Sequence, residues 1–130
     1  YAKQSKYGEL TTPPIMVSYM SSRVPPGESD VVTQAFEDNP MSDGIGDVHK
    51  HGELPPVPTT LVRVLNAGNE LELYRYPSIG DKIKFQNRYS DIRERVGRDG
   101  KPFLIITRET TYWNQGDEVL CITRASTIRR

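Results

Sequence analysis

The sequence predicts an α+β domain in which a long, curved antiparallel sheet wraps around one short, buried helix. Three observations lead there. From residue 59 onward, apolar and polar residues alternate with period two in segments separated by turn sequences, the pattern of antiparallel strands. Eight of the ten prolines fall within residues 11–58, three times as adjacent pairs, which leaves little room there for long regular elements. Within that region one stretch, TTPPIMVSYMSSR, carries apolar residues at helical spacing.

In that stretch Thr11 or Thr12 can cap a helix. Pro13 and Pro14 occupy its first turn, where no backbone N–H is needed. Ile15, Met16, Tyr19 and Met20 then form an apolar face, and Pro25-Pro26 ends the element. A helix so short and so apolar is expected to be buried. Residues 24–58 read as a long excursion, rich in Gly, Asp and Pro, with one turn of helix over 30–36. The strand pattern follows over 59–65, 70–76, 82–96, 103–113 and 118–128, with an Asn-Ala-Gly-Asn turn at 66–69 and further turns at GRDGKP and NQGD. These strands predict an antiparallel meander whose two faces are both partly covered, one of them by the helix.

At 130 residues the chain is long enough for one core. Its opening at Tyr1, with no clear cap or turn, reads as a piece of something longer. Seventeen basic and seventeen acidic residues cancel without forming blocks, which argues against a nucleic-acid or membrane-surface partner. No apolar run approaches the roughly 20 residues that span a bilayer. The single cysteine, Cys121, has no second thiol to pair with and lies in an apolar strand pattern, so it reads as structural filler in a cytoplasmic protein.

The ordered motifs resemble the MaoC-like acyl-thioester dehydratases of the hot-dog fold, and within them the N-terminal half-domain. Tyr7-Gly8 and Thr12-Pro13-Pro14 match the lead into the central helix. Gly68-Asn69-Glu70-Leu71-Glu72 matches the family's Gly-Gln-Glu-Phe-Glu-like strand, and Arg75, Pro77, Gly80 and Asp81 match its Arg-Pro…Gly-Asp corner. The Arg93 to Gly100 hairpin and the closing Glu109, Thr110, Tyr112, Asn114 and Gln115 complete the set, with Gly116 and Asp117 closing the last turn in a different order. The resemblance covers about residues 5–25 and 54–130. It implies a single hot-dog domain that works with acyl-CoA or acyl-carrier-protein thioesters, without a cofactor.

Catalytic members of that family carry Asp-x-Asn-Pro-x-His before the central helix, and no such motif precedes Pro13. The Glu37-Asp38-Asn39-Pro40 stretch follows the helix, lacks the spacer and has Ser42 where a His is wanted, so it reads as a loop turn. His49 and His51 sit in the excursion; Asp47 beside His49 has the composition of an acid/base pair, but a solvated loop pair is the expected state. Metal binding there would need Asp43, Asp47 or Glu53 as further ligands and is not expected. The expectation is therefore a chain with no catalytic residue of its own. Its role is the substrate tunnel and seam of an R-specific enoyl-CoA hydratase or 3-hydroxyacyl-thioester dehydratase, formed by Ile15, Met16, Tyr19, Met20, Ala67, Gly68 and Asn69. The Asp/His dyad then comes from a second hot-dog domain or subunit. A non-enzymatic acyl-binding module and a purely structural dimerisation domain are the alternatives that the sequence leaves open.

Overall fold

The computed structural model describes residues 2–20, 31–41 and 54–130. A 3-10 turn at Ala2–Gln4 is followed by the helices α1 (Met16–Met20) and α2 (Val31–Asp38). Four strands then follow: β1 (Val64–Leu73), β2 (Lys84–Val96), β3 (Pro102–Trp113) and β4 (Val119–Arg129). They form one antiparallel sheet in the order β1-β4-β3-β2.

Two features of the sheet differ from the sequence expectation. The Asn-Ala-Gly-Asn stretch does not turn the chain; β1 runs straight through it with a bulge that leaves Ala67 outside the register between Asn66 and Gly68. Asn66 Oδ1 accepts the Gly68 N–H at 3.0 Å, so the side chain satisfies a backbone donor that the bulge frees from the ladder. Nor is the sheet a simple meander. β2, β3 and β4 follow one another as hairpins, but β1 pairs with β4, at the far side from β2. Residues 74–83 are too many for a tight hairpin, and with Pro77 and a left-handed Gly80 (φ 93°) they cross the end of the sheet instead.

Register assigns the faces. Leu73, Cys121, Tyr112 and Phe85 stand in one row across all four strands, and Val17 of α1 packs on that row. Val17, Tyr112 and Cys121 are buried, with Leu73 and Ile83 packed against them. That is the sheet face covered by the helix. Burial pushes the Cys121 thiol above its ordinary pKa, which keeps it a neutral apolar group. α2 is longer than the single turn expected. Asn39 beyond it accepts the Met41 N–H on its Oδ1 at 3.1 Å, which makes the Asn-Pro stretch the turn the sequence suggests.

Gly68 has φ 133° while a Cβ placed there meets nothing within 4 Å. The demand for glycine is thus conformational, not steric. Gly68→Ala is expected to lower stability by about 1–3 kcal/mol, read from chemical denaturation; an unchanged midpoint would show that the bulge relaxes freely.

Candidate functional site

The lead into α1 is held by a chain of local contacts. Gly8 takes φ 72° and donates its N–H to the Ser5 carbonyl at 3.0 Å, so Tyr7-Gly8 is a turn. It brings the Tyr7 ring to 4.9 Å from that of Tyr76, centroid to centroid, with the two hydroxyls 3.4 Å apart. The hydrogen bond to Tyr76, then that with Lys6, holds the Tyr7 hydroxyl below the ordinary tyrosine pKa. Two residues on, Glu9 Oε1 accepts the Ser78 hydroxyl at 2.7 Å, and Thr11 bridges to Ser78 through the backbone.

The corner that receives this segment is itself clamped. Asp81 Oδ2 accepts the Ser78 N–H at 2.8 Å, and Asp81 Oδ1 accepts from Gln115 Nε2 at 3.2 Å. Gln115 Oε1 in turn takes the Lys82 N–H at 2.9 Å. Buried Asn114 accepts the N–H groups of Gly116 and Glu118 on Oδ1, at 2.9 and 3.1 Å, and donates Nδ2 to Glu118 Oε2 at 2.8 Å. Arg75 reaches the same Glu118 oxygen at 2.5 Å. The Asn-Gln and Arg-Pro…Gly-Asp motifs are therefore one clasp that ties the β3–β4 turn to the 74–83 crossing. Asp117 adopts φ 61° in that turn, a conformation an aspartate tolerates, which accounts for the reordered Gly-Asp.

On this support α1 begins with a tight turn: Met16, Val17 and Ser18 donate to the carbonyls of Pro13, Pro14 and Ile15 at 3.0, 3.2 and 3.1 Å. The inward residue is Val17, at 0% exposure. Ile15 and Met16, the expected inward pair, are 49% and 42% exposed instead. The tight i to i+3 spacing at the helix start rotates the apolar set relative to an ideal α-helix, which is why the next residue, Val17, takes the core position. Tyr19 and Met20 end α1, and their side chains lie outside the described residues, as do His49, His51, Asp43, Asp47 and Glu53.

Ala67, Gly68 and Asn69 are placed on β1, opposite Ser126 and Ala125. They stand four to six positions along the strand from Leu73, the β1 residue packed beside Val17, or about 13–20 Å at the strand rise. The structure thus keeps the two predicted groups apart, α1 on the sheet face over Tyr112 and Cys121 and the Ala67–Asn69 stretch on the edge strand β1. Among the described residues, β1 pairs on one side only, so its outer edge is open.

Sequence reasoning missed the strongest polar cluster. On the face opposite α1, Glu70, Arg124, Glu109 and Arg88 stand in one row across β1, β4, β3 and β2 with alternating charge. Arg124 Nε donates to Glu109 Oε2 at 2.8 Å, and Arg88 donates to Oε1 through Nη2 and Nε at 2.6 and 2.8 Å. Arg124 also reaches Glu72 at 3.2 Å and Glu70 at 3.9 Å, and the Tyr74 hydroxyl donates to Glu72 at 2.6 Å. Glu109 is only 4% exposed. Burial alone pushes its pKa up, but the hydrogen bonds from Arg124 and Arg88 outweigh it and hold the carboxyl below the usual range. Glu72 is also held low, first by Tyr74 and then by Arg124. The charged residues of the Asn69–Glu72 stretch thus complete a ladder within the chain. The charges occur at positions 70, 88, 109 and 124, and only strand register reveals them as neighbours.

Among the described residues, no three His, Cys, Asp or Glu side chains gather as a metal site. The buried carboxylate, Glu109, is committed to two arginines. What the α1 side presents is the exposed part of Ile15 and Met16 over a packed base, a surface suited to lining an apolar channel.

A sequence profile for the family described as "FAS1-like, dehydratase domain region" matches residues 1–123. No curated protein matches the sequence. Among solved structures the chain is similar to the ChsH1–ChsH2 complex from Mycobacterium tuberculosis, at 15% identity and a TM-score of 0.64, over 98% of this chain and 64% of that one. It is also similar to the MaoC-like dehydratase from Rhodospirillum rubrum, at 17% identity and 0.54, over 99% and 69%. A third likeness is the C-terminally truncated HadBC (3R-hydroxyacyl-ACP dehydratase) complex from M. tuberculosis, at 14% and 0.53, over 95% and 66%. The chain spans slightly less than two thirds of the ChsH1–ChsH2 and HadBC chains it matches. These likenesses are of fold, and the fold is the hot-dog. Among the described residues, no helix is long and apolar enough to cross a membrane.

Proposed function

This chain belongs to the FAS1-like dehydratase domain region family, and on that premise we propose that it is the tunnel- and seam-forming half of an R-specific enoyl-CoA hydratase or 3-hydroxyacyl-thioester dehydratase. A second hot-dog domain or subunit supplies the Asp/His pair, and the setting is the cytoplasm. The observation that carries the reading is the division of labour on α1: Val17 anchors the helix to Tyr112 and Cys121, while Ile15 and Met16 stay accessible. An enzyme half that only stabilised itself gains nothing from leaving two large apolar side chains half exposed, whereas an acyl chain or a partner surface is stabilised by covering them. The open edge of β1, with Ala67, Gly68 and Asn69 at and beside its bulge, supplies the seam. Two of the similar structures, ChsH1–ChsH2 and HadBC, are complexes, which supports the pairing with a second component.

The test separates the two sides of α1. In the assembled hydratase, Met16→Glu is expected to raise KM for a medium-chain enoyl-CoA about tenfold or more, because a carboxylate then faces the acyl chain, with little change in thermal stability. Val17→Ala is expected to do the opposite, lowering stability by about 1–3 kcal/mol through the cavity it leaves. An unchanged KM in Met16→Glu removes α1 from the tunnel.

A further inference from the structure

At the end of the sheet far from α1 lies a concavity. It has a volume of about 670 Å³ and a floor of Leu61, Leu65, Phe103 and Ile128. Arg63, Arg98, Lys101 and Arg130 stand around it with a single carboxylate, Asp99. Strand register puts Leu65 opposite Ile128 in the same row as Ile105, on the face that carries Arg124 and Glu109 and not on the face that packs Val17. The cavity therefore belongs to a different surface from the one assigned to the acyl tunnel.

We propose that this cavity is a binding site for a single-chain anionic amphiphile, its apolar arm on the Leu65–Phe103–Ile128 floor and its head group among the four cations. Three features of the site converge on that chemistry. Its volume falls in the range of small-molecule sites, roughly 300–1,000 Å³. Its floor is aliphatic and aromatic, and water gains by leaving it. Its rim is unbalanced: Arg63 and Arg130 are direct cross-strand neighbours, exchanging backbone hydrogen bonds at 3.1 and 3.0 Å. Like charges so placed repel. Asp99 reaches only Arg130, at 3.8 Å, and its Oδ1 accepts the Lys101 N–H at 3.2 Å. Among the described residues, Arg63, Arg98 and Lys101 have no carboxylate partner. In a chain whose seventeen positive and seventeen negative charges cancel overall, this end concentrates an excess that an anionic head group neutralises.

The glycine turn supports the geometry. Gly100 at φ 73° and the Gly97 N–H to Lys101 carbonyl bond at 2.8 Å close the β2–β3 hairpin tightly, which holds Arg98 and Lys101 at the mouth.

Titration calorimetry of the protein with dodecyl phosphate, dodecanoate and dodecyltrimethylammonium, each below its micellar concentration, tests the site. Both anions are expected to bind saturably, the cation at least about tenfold more weakly, and in parallel NMR titrations the anions' amide shifts are expected to be confined to residues 61–65, 97–103 and 128–130. Arg98→Ala/Lys101→Ala alters only exposed turn positions and is expected to weaken anion binding about fivefold or more without changing the melting temperature. A stronger response to the phosphate assigns the natural ligand to phosphorylated acyl carriers, and a stronger response to the carboxylate assigns it to free fatty acids. Equal binding of the cation, undiminished binding in the double variant, or no saturable binding of either anion overturns the proposal.

Discussion

Assayed by itself with crotonyl-CoA, this chain is expected to give no hydration above the uncatalysed rate, and the same chain with a hot-dog partner bearing an Asp/His pair is expected to turn the substrate over. Adding water across an enoyl thioester needs a base within about 3 Å of the water and a donor at the thioester carbonyl. The segment that leads into α1 brings one carboxylate, Glu9, and that carboxylate already accepts the Ser78 hydroxyl at 2.7 Å. The buried Glu109 is held ionised between two arginines on the face opposite α1, where it has no proton to give. Positioned acid–base catalysis contributes about 10²–10⁴-fold, so the difference between the two assays is large. A His49→Ala/His51→Ala variant closes the remaining route. If the isolated chain hydrates crotonyl-CoA and the double variant does not, the excursion carries the active site and the assignment of this chain as the supporting half is wrong.

Removing the Glu109 carboxylate is expected to be the most damaging single change to the sheet. Glu109→Ala removes the carboxylate that joins Arg124 to Arg88 in the middle of the ladder, and because Arg88 is solvated and Arg124 keeps Glu72, about 1–3 kcal/mol of stability is lost near pH 7. The pH dependence has a defined sign. Because the folded protein holds Glu109 below its unfolded pKa, the ion-paired carboxylate contributes fully above the ordinary Glu value of about 4.3. That contribution fades as pH falls through the lower, folded value. Denaturation of the wild type and of Glu109→Ala between pH 7 and pH 2.5 is therefore expected to show a gap that narrows below about pH 4.3. Glu72, held low by Tyr74 and Arg124, adds to the wild type's acid sensitivity in the same window, and more weakly in salt because it is exposed. A gap of constant size down to the lowest pH would mean that Glu109 acts by packing alone.

Much of this protein was legible in one dimension because the signals are local. Period-two alternation marks β2, β3 and β4, and the turn sequences GRDGKP and NQGD connect them as the tight hairpins that are found. The prolines before Ile15 announce the helix start, and the ordered motifs announce the hot-dog family. The same motifs were legible as positions but not as roles: Asn114, Gln115, Asp81 and Arg75 form a clasp only once the 74–83 crossing has laid the corner against the β3–β4 turn.

What the chain pattern left undetermined depends on register and on competition between faces. Asn66-Ala67-Gly68-Asn69 has the composition of a turn, and it becomes a bulge because pairing both flanks of β1 to β4 satisfies more backbone groups than ending the strand there. Ile15, Met16 and Val17 are all apolar, so hydrophobicity cannot rank them; the tight first turn of α1 and the Tyr112–Cys121 row beneath it select Val17. Glu70, Arg88, Glu109 and Arg124 are scattered over 55 positions of sequence and become a ladder only when four strands align. A side chain's neighbours across a sheet are set by long-range pairing, and that information exists only in the folded chain.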